Sequence, residues 1–306
     1  MGPGVRVGVT GSSGLIGRSL VGALRERGDT IIPFVRPTTT TLVGDVVRWD
    51  PERGDVDDGD LKRVGGFDAV VHLAGAGIGD RRWSPTRKSE ILTSRVESTS
   101  LLVRALGDLP NGVKMLASAS AIGWYGSCGD DVLDETSSKG SGFLSDVCAA
   151  WEDAALAFQD RGAVALLRTG LVMSTRGGVL KTQLPLFRWG LGGRYGPGTQ
   201  WMSPISLVDE VRAILFVLDH EIAGPVNLSA PEAITNRDYT RELARGLRRS
   251  AMLPVPKLAL RLALGAEMSN ELIFANQRVV PGVLQDTGFT FEHRDAAATI
   301  HWALTG

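Results

Sequence analysis

The sequence predicts an α/β fold, a doubly wound parallel sheet followed by a small, mainly helical C-terminal domain. Three observations lead there. Short apolar runs alternate with amphipathic stretches of helical length through the first half of the chain, one run is apolar enough to be covered on both faces, and a glycine-rich turn joins the first run to the first helix.

Val5–Val9 is a short apolar run broken only by Arg6 and Gly8. Thr10-Gly11-Ser12-Ser13-Gly14-Leu15-Ile16-Gly17 leads from it into a helical pattern from Leu15 to about Arg27. Thr30–Val35 reads as a second strand, Ala69–Leu73 as a third, and Lys114–Ala117 and Ala163–Leu167 as two more. Between them lie helical stretches at about Ser84–Leu106 and Gly142–Gln159, with apolar residues at three- and four-residue intervals. Strands separated by helices of that length are joined by crossovers, so a parallel sheet with helices on both faces is the economical topology.

Beyond about residue 170 the alternation fades into glycine- and proline-rich loops, chiefly Trp189–Pro204 with Arg194, Tyr195, Trp201 and Met202. Such a loop is either a lid for a flat or sugar-like substrate or a structural segment pinned by its tryptophans. A helix from Leu207 to Asp219, a strand at Pro225–Ser229 and a helix from Thr235 or Asn236 to about Arg249 follow. Leu258, Leu260, Leu262 and Leu264 with Arg261 predict a short helix packed on a neighbour. The domain limits read as 1–252 and 253–306. Thr38–Thr41, the one low-complexity stretch, reads as a solvent loop.

A chain of 306 residues suits one large α/β domain with an appendage. Its 33 Lys and Arg against 34 Asp and Glu give a net charge of −1, with no basic run longer than two residues, so neither nucleic acid nor an anionic membrane is an expected partner. The longest stretch free of Asp, Glu, Lys and Arg, Met115–Gly129, has 15 residues, short of the ~18 a spanning helix needs. The N-terminus lacks the charged lead and apolar core of a secretory signal, so the expected location is the cytoplasm. Two cysteines, Cys128 and Cys148, without Cys-x-x-Cys or His-Glu-x-x-His spacing, predict free thiols and no metal site. Glycine is abundant at 38 residues, which implies tight turns or close ligand approach.

A helix N-terminus offers unpaired N–H groups and a partial positive charge, so a glycine turn opening one can hold a diphosphate. Gly11 permits the sharp exit from the strand, Gly14 the close contact and Gly17 the packing of helix on strand; Ser13, Leu15 and Ile16 join them as candidate contacts. At the end of the second strand, 19 residues after Gly17, stands Arg36 where an acid would be expected for NAD. A guanidinium there favours the 2′-phosphate of NADP(H), and Asp50 approaches the adenine. The alternative is a solvated Arg36 with Asp45 or Asp50 taking the ribose.

The glycine turn, Val71-His72-Leu73-Ala74-Gly75-Ala76 and Ser118-Ala-Ser120 together resemble the extended short-chain dehydrogenase/reductases, a group with a Rossmann-type sheet. Ser94-Arg95-Val96-Glu97-Ser98-Thr99, Ser118 to Gly126, Val147 to Glu152, Arg168-Thr-Gly-Leu-Val172, Gly224 to Pro231, Leu253-Pro-Val-Pro256 and Gln277-Arg-Val-Val-Pro281 look like its atypical, YfcH-like epimerase family with the short C-terminal domain. The resemblance implies NADP(H) binding in which Leu73, Ala74, Gly75 and Ser118 join the cofactor contacts, and a small-molecule substrate.

Working members of that superfamily use a Tyr and a Lys four residues later. The three tyrosines here, Tyr125, Tyr195 and Tyr239, are followed at that distance by Gly129, Thr199 and Leu243, and Leu144 and Cys148 occupy the helical positions of the pair. Hydride transfer needs a polar group at the substrate oxygen. Ser120, at the C-terminal end of a central strand, is the first candidate, against a hydroxyl that merely caps a turn. Tyr125 would reach the site from the following loop, against an ordinary interfacial tyrosine. Cys148 reads as a small core residue and His72 as a satisfied core histidine. Arg81, Arg82 and Trp83 either bind an anionic group or form a solvated loop, and Glu90, Arg95 and Glu97 have the spacing to pair with one another. The expected function is an NADP(H)-dependent oxidoreductase or epimerase-like enzyme on an unknown small substrate. The competing reading is a non-catalytic NADP(H)-binding redox sensor or scaffold.

Overall fold

The computed structural model describes residue 1 and residues 4–40, 44–251 and 253–305. The last residue of the threonine run and residue 252, at the expected domain limit, lie outside the described residues.

The first apolar run forms β1 (Arg6–Thr10), and α1 (Leu15–Arg27) follows the glycine turn. Gly28, at φ +85°, ends α1 by donating its N–H to the Arg25 carbonyl, and Asp29 donates to the Leu24 carbonyl. β2 (Thr30–Val35), β3 (Val47–Asp50), β4 (Asp55–Val56) and α2 (Asp58–Val64) complete the first half. β5 (Phe67–His72), α3 (Pro85–Gly107), β6 (Val113–Ala121), a single 3-10 turn at Ile122–Tyr125, β7 (Val132–Leu133), α4 (Phe143–Leu156) and β8 (Ala163–Thr169) form the second. Then come β9 (Leu171–Met173), α5 (Gly178–Arg188), β10 (Trp201–Met202), β11 (Pro204–Ser206), α6 (Leu207–Asp219), β12 (Gly224–Leu228), β13 (Ile234–Thr235) and α7 (Asn236–Gly246). The chain closes with α8 (Lys257–Leu264), α9 (Ala266–Leu272), β14 (Arg278–Val279), α10 (Gly282–Asp286) and α11 (Ala296–Thr305).

Eight strands make one sheet in the order β12-β8-β6-β5-β1-β2-β3-β4, parallel except for the terminal β3–β4 pair. The chain starts in the middle at β1, winds outward through β2, and returns to the other side of β1 with β5. The crevice at that reversal, at the carboxyl ends of β1 and β5, is where such sheets bind ligands. Register brings Thr10 beside His72 and His72 beside Ser118, while Ser120 pairs with Arg168.

Alternate residues of the buried strands face opposite helical layers. Val9, Val71 and Ala117 pack with Leu20 and Leu24 of α1 and Val211 and Ile214 of α6. Val70, Leu116 and Leu166 pack with Leu102 and Leu106 of α3 and Ala155 of α4. Each fully buried aliphatic side chain contributes about 1.5–3 kcal/mol by leaving water.

Two sequence expectations change. Residues 170–204 are more ordered than their composition suggests, because α5 and short strands pair there across long sequence distances: β9 with β11 and β10 with β13. Leu258 and Leu262, expected on a packed face of α8, are 68% and 71% exposed in a helix without a buried residue. Residues 253–305, the expected C-terminal domain, contribute to cores shared with the rest of the chain: Leu284, Phe289 and Phe291 lie in the main core, Ile300 and Ala303 pack with α5 and α7, and Val279 packs beside Tyr125 and Leu133.

Candidate functional site

The turn after β1 is shaped by backbone proximity. Gly11 sits at φ +62°, and a Cβ there would lie 2.7 Å from the Leu73 carbonyl oxygen; a Cβ on Gly17 would lie 2.2 Å from the Gly11 carbonyl oxygen. Neither position tolerates a side chain. Gly14 stands at the α1 N-cap with no side-chain cap, and the first turn holds no acid. The free N–H groups of Leu15, Ile16 and Gly17 and the helix dipole therefore remain available to an anion.

A cleft of about 910 Å³ runs from Gly11, Ser12 and Ser13 along Arg18, Phe34, Arg36 and Trp49 to Ala74. A second hollow of about 560 Å³ adjoins it at Arg36, Pro51 and Ala74 and reaches Gly75 and the first turns of α3. A dinucleotide's diphosphate fits the uncapped helix and glycine cradle on these observations. Sequence reasoning missed Arg18, whose one signal was its place four residues after Gly14.

Arg36 is 48% exposed at its side chain, with Nη1 on Asp50 at 2.8 Å and Nη2 on Glu52 at 2.8 Å. It is thus neither solvated alone nor free. The two acids hold its fork at the cleft wall, and Asp50, at the end of β3, orients Arg36.

Behind Leu73 and Ala74 runs a buried relay. Thr10 Oγ1 accepts their two N–H groups, at 3.0 and 3.2 Å, so its own proton goes to His72 Nδ1 at 2.8 Å. His72 Nε2 then carries the ring proton and meets Thr99 Oγ1 at 3.0 Å, and Thr99 donates to the Arg95 carbonyl at 2.7 Å. Burial pushes the His72 pKa down to about 3, so the ring is a neutral strut of the core.

Ser118 and Ser120 lie inside β6, which runs four residues past its expected end to Ala121; both are buried. Ser118 Oγ donates to the Ala119 carbonyl at 3.4 Å. Ser120, 4% exposed, donates to Glu152 Oε1 at 2.6 Å. Glu152 in turn takes a two-point ion pair from Arg168, Nε to Oε1 and Nη2 to Oε2, both at 2.9 Å. Burial pulls the Arg168 guanidinium down in pKa, and the Glu152 carboxylate more than reverses it.

Tyr125 does not reach the site from a loop. It sits at the end of the 3-10 turn, fully buried, donates to Asn227 Oδ1 at 2.7 Å and accepts from Arg168 Nη1 at 3.2 Å. Burial raises its pKa, so the phenol is spent inside the fold.

The other candidates separate. Cys148 is buried against Gly123, and burial pushes its thiol up to about 12, which leaves it inert. Arg81 pairs with Glu90, which also takes Arg87, while Trp83 donates to the Ile78 carbonyl and meets Phe143 edge-on at 5.0 Å. The 189–204 segment is pinned at Tyr195, whose N–H donates to Asn236 and whose hydroxyl accepts from Gln183. Among the described residues no cluster of three His, Cys, Asp or Glu is placed to hold a metal, and no helix is long and apolar enough to cross a membrane.

Residues 7–149 match the model of the NAD dependent epimerase/dehydratase family, and residues 255–303 match a domain of unknown function. An epimerase family protein of Mycobacterium leprae is 40% identical over 98% of this chain and 95% of its own. Human epimerase family protein SDR39U1, solved with NADPH, superposes with a TM-score of 0.88 at 27% identity, over 98% of this chain and 99% of that one. MoeE5, solved with UDP-glucuronic acid and NAD, superposes at 0.72 with 26% identity, over 97% and 98%.

Proposed function

The chain belongs to the NAD-dependent epimerase/dehydratase family, and from that premise we propose that it is an NADP(H)-dependent oxidoreductase or epimerase-like enzyme acting on a small substrate at the carboxyl ends of β5, β6 and β8. The observation that carries this reading is the uncapped N-terminus of α1 over a cradle that any side chain at Gly11 or Gly17 would fill. Human SDR39U1, solved with NADPH, supports the choice of cofactor.

The Leu15, Ile16 and Gly17 N–H groups and the Ser13 turn would hold the diphosphate. Arg36 would turn its fork from Asp50 and Glu52 to the 2′-phosphate, while Ala74 and Gly75 border the path toward the nicotinamide. When bound, the cofactor supplies the hydride. Ser120 donates to Glu152 in the free protein; to orient a substrate carbonyl it would turn that proton to the substrate oxygen, and with the proton left on Glu152 it would accept from a substrate hydroxyl in the reverse, oxidative direction. Arg168 holds Glu152 in place through both oxygens.

A second reading, an NADP(H)-binding sensor without turnover, is favoured by one observation: the phenol of Tyr125 is consumed by Asn227 and Arg168. Titration with NADPH and NADH, followed by nicotinamide fluorescence, tests the cofactor. NADPH binds at least about tenfold tighter, and Arg36→Asp reverses the order through loss of a charge-assisted contact, which is on the order of 1.4 kcal/mol or more. Tighter binding of NADH by the wild type sinks the Arg36 assignment. Turnover of any aldehyde, ketone or quinone that Ser120→Ala abolishes supports the enzyme; binding of NADPH with no turnover on every class supports the sensor.

A further inference from the structure

Arg95 sits midway along α3, and its guanidinium is half-buried without a counter-charge. Nη1 donates to the Ile91 carbonyl of its own helix at 3.0 Å. Glu90 is spent on Arg81 and Arg87 and Glu152 on Arg168 and Ser120, and Glu97, expected from its spacing to pair on this helix, forms no ion pair with Arg95. No described carboxylate forms an ion pair with Arg95. The Cys148 thiol beside it is held neutral by burial, and Arg87 adds a second positive charge.

Two neighbours fix where the group stands. A Cβ on Gly75 would lie 3.5 Å from Arg95 Cζ, so the guanidinium rests on the backbone that follows β5. Cζ also stands over the face of the Trp151 ring, 5.0 Å from its centre. The ring face steadies the guanidinium, and among the described residues no carboxylate neutralises it beside the carboxyl end of β5. A half-buried cation in that position is stabilised further by an anionic oxygen group at its fork. The backbone of Arg95 is held by the Thr10–His72–Thr99 relay, so the guanidinium is aimed from a fixed base.

We propose that Arg95 is the anion anchor of this site, and that the substrate carries a carboxylate which the guanidinium grips with its fork while the Trp151 ring face holds the guanidinium in place. This deepens the oxidoreductase reading and rests on it for where the substrate lies. It also gives the site a cation in a chain with no Lys four residues after any Tyr. The other anion with matching chemistry is a phosphate of the cofactor itself, and the test separates the two.

Oxamate, a small carboxylate with an adjoining carbonyl, is titrated by calorimetry into the NADPH-saturated protein and into the cofactor-free protein, with neutral oxamide as control. Oxamate binds saturably and oxamide does not. Arg95→Met weakens oxamate at least tenfold while NADPH affinity stays within twofold; Arg95→Lys and Trp151→Phe, which keep the charge and the ring respectively, give intermediate losses and serve if Arg95→Met does not fold. Equal oxamate affinity in wild type and variants overturns the proposal, as does absence of oxamate binding. A tenfold loss of NADPH affinity in Arg95→Met, with oxamate unaffected, also overturns it and assigns the guanidinium to the cofactor. Failure of NADPH to bind while oxamate still does so overturns the cofactor reading and leaves the anion anchor standing.

Discussion

Glu152 and Arg168 face each other at 2.9 Å with side chains 3% and 4% exposed, and their pairing holds Ser120 and Tyr125 as well. Such a pair stabilises weakly against a well-packed apolar substitute, yet breaking it leaves one charge stranded. Glu152→Gln is expected to lower unfolding stability by about 3–5 kcal/mol in urea denaturation, whereas Glu152→Leu with Arg168→Met recovers most of it. A loss below about 1 kcal/mol, the range of exposed pairs, contradicts the buried network. Sequence reasoning singled out Ser120 because strand ends carry ligands in this topology, and the structure joins its hydroxyl to Glu152. It misjudged Tyr125, since nothing local to Trp124-Tyr125-Gly126 reports that Asn227, 102 residues away, takes the phenol proton.

At the scale of elements, the start of α4 shows how distant segments complete a local feature. Gly142 supplies no cap, and the carboxylate of Glu271 from α9 accepts from Phe143 N–H at 2.8 Å and Leu144 N–H at 2.7 Å. Glu271→Ala should cost about 1–2 kcal/mol, as loss of an N-cap does, read as a shift in the urea midpoint. An unchanged midpoint contradicts the cap. α6 holds a second such case. Glu210 is fully buried, accepts from Thr169 Oγ1 at 2.8 Å, and leaves Oε2 without a partner. Burial raises its pKa to about 8 from the ordinary 4.5. The folded state therefore keeps a proton that the unfolded chain has lost between those values, so stability is fullest below about pH 4.5 and declines as pH rises to about 8. Glu210→Gln should remove that decline, a difference on the order of 1–4 kcal/mol at pH 8. Parallel pH profiles of thermal unfolding for the two proteins would contradict the assignment.

For the whole molecule, the contacts between the C-terminal segment and the sheet predict that the two unfold together. Asp209, at the start of α6, accepts from the N–H groups of Glu292 and His293 at 2.9 and 2.8 Å, and Phe289 and Phe291 fill the core beneath. A chain ending at Ala251 exposes that core and should fail to show the single unfolding transition of the full chain in calorimetry; a truncated chain with an unchanged midpoint separates the two parts. The central strands, α1 and its glycine turn were legible in the sequence because their signals are local: apolar runs of strand length, periodicity of 3.6, and glycines between the two. The match in residues 7–149 to a dinucleotide-binding family follows from those same signals. The sequence by itself determined the parallel sheet and the place of its ligand crevice, since each depends on neighbours within one turn or one crossover. Only the tertiary structure decided what fills residues 170–204, which acid caps α4, where Tyr125 spends its proton, and that no described carboxylate pairs with Arg95. Those depend on pairings across tens to hundreds of residues, and a hydrogen bond or ion pair between distant groups leaves no mark on the local pattern of either.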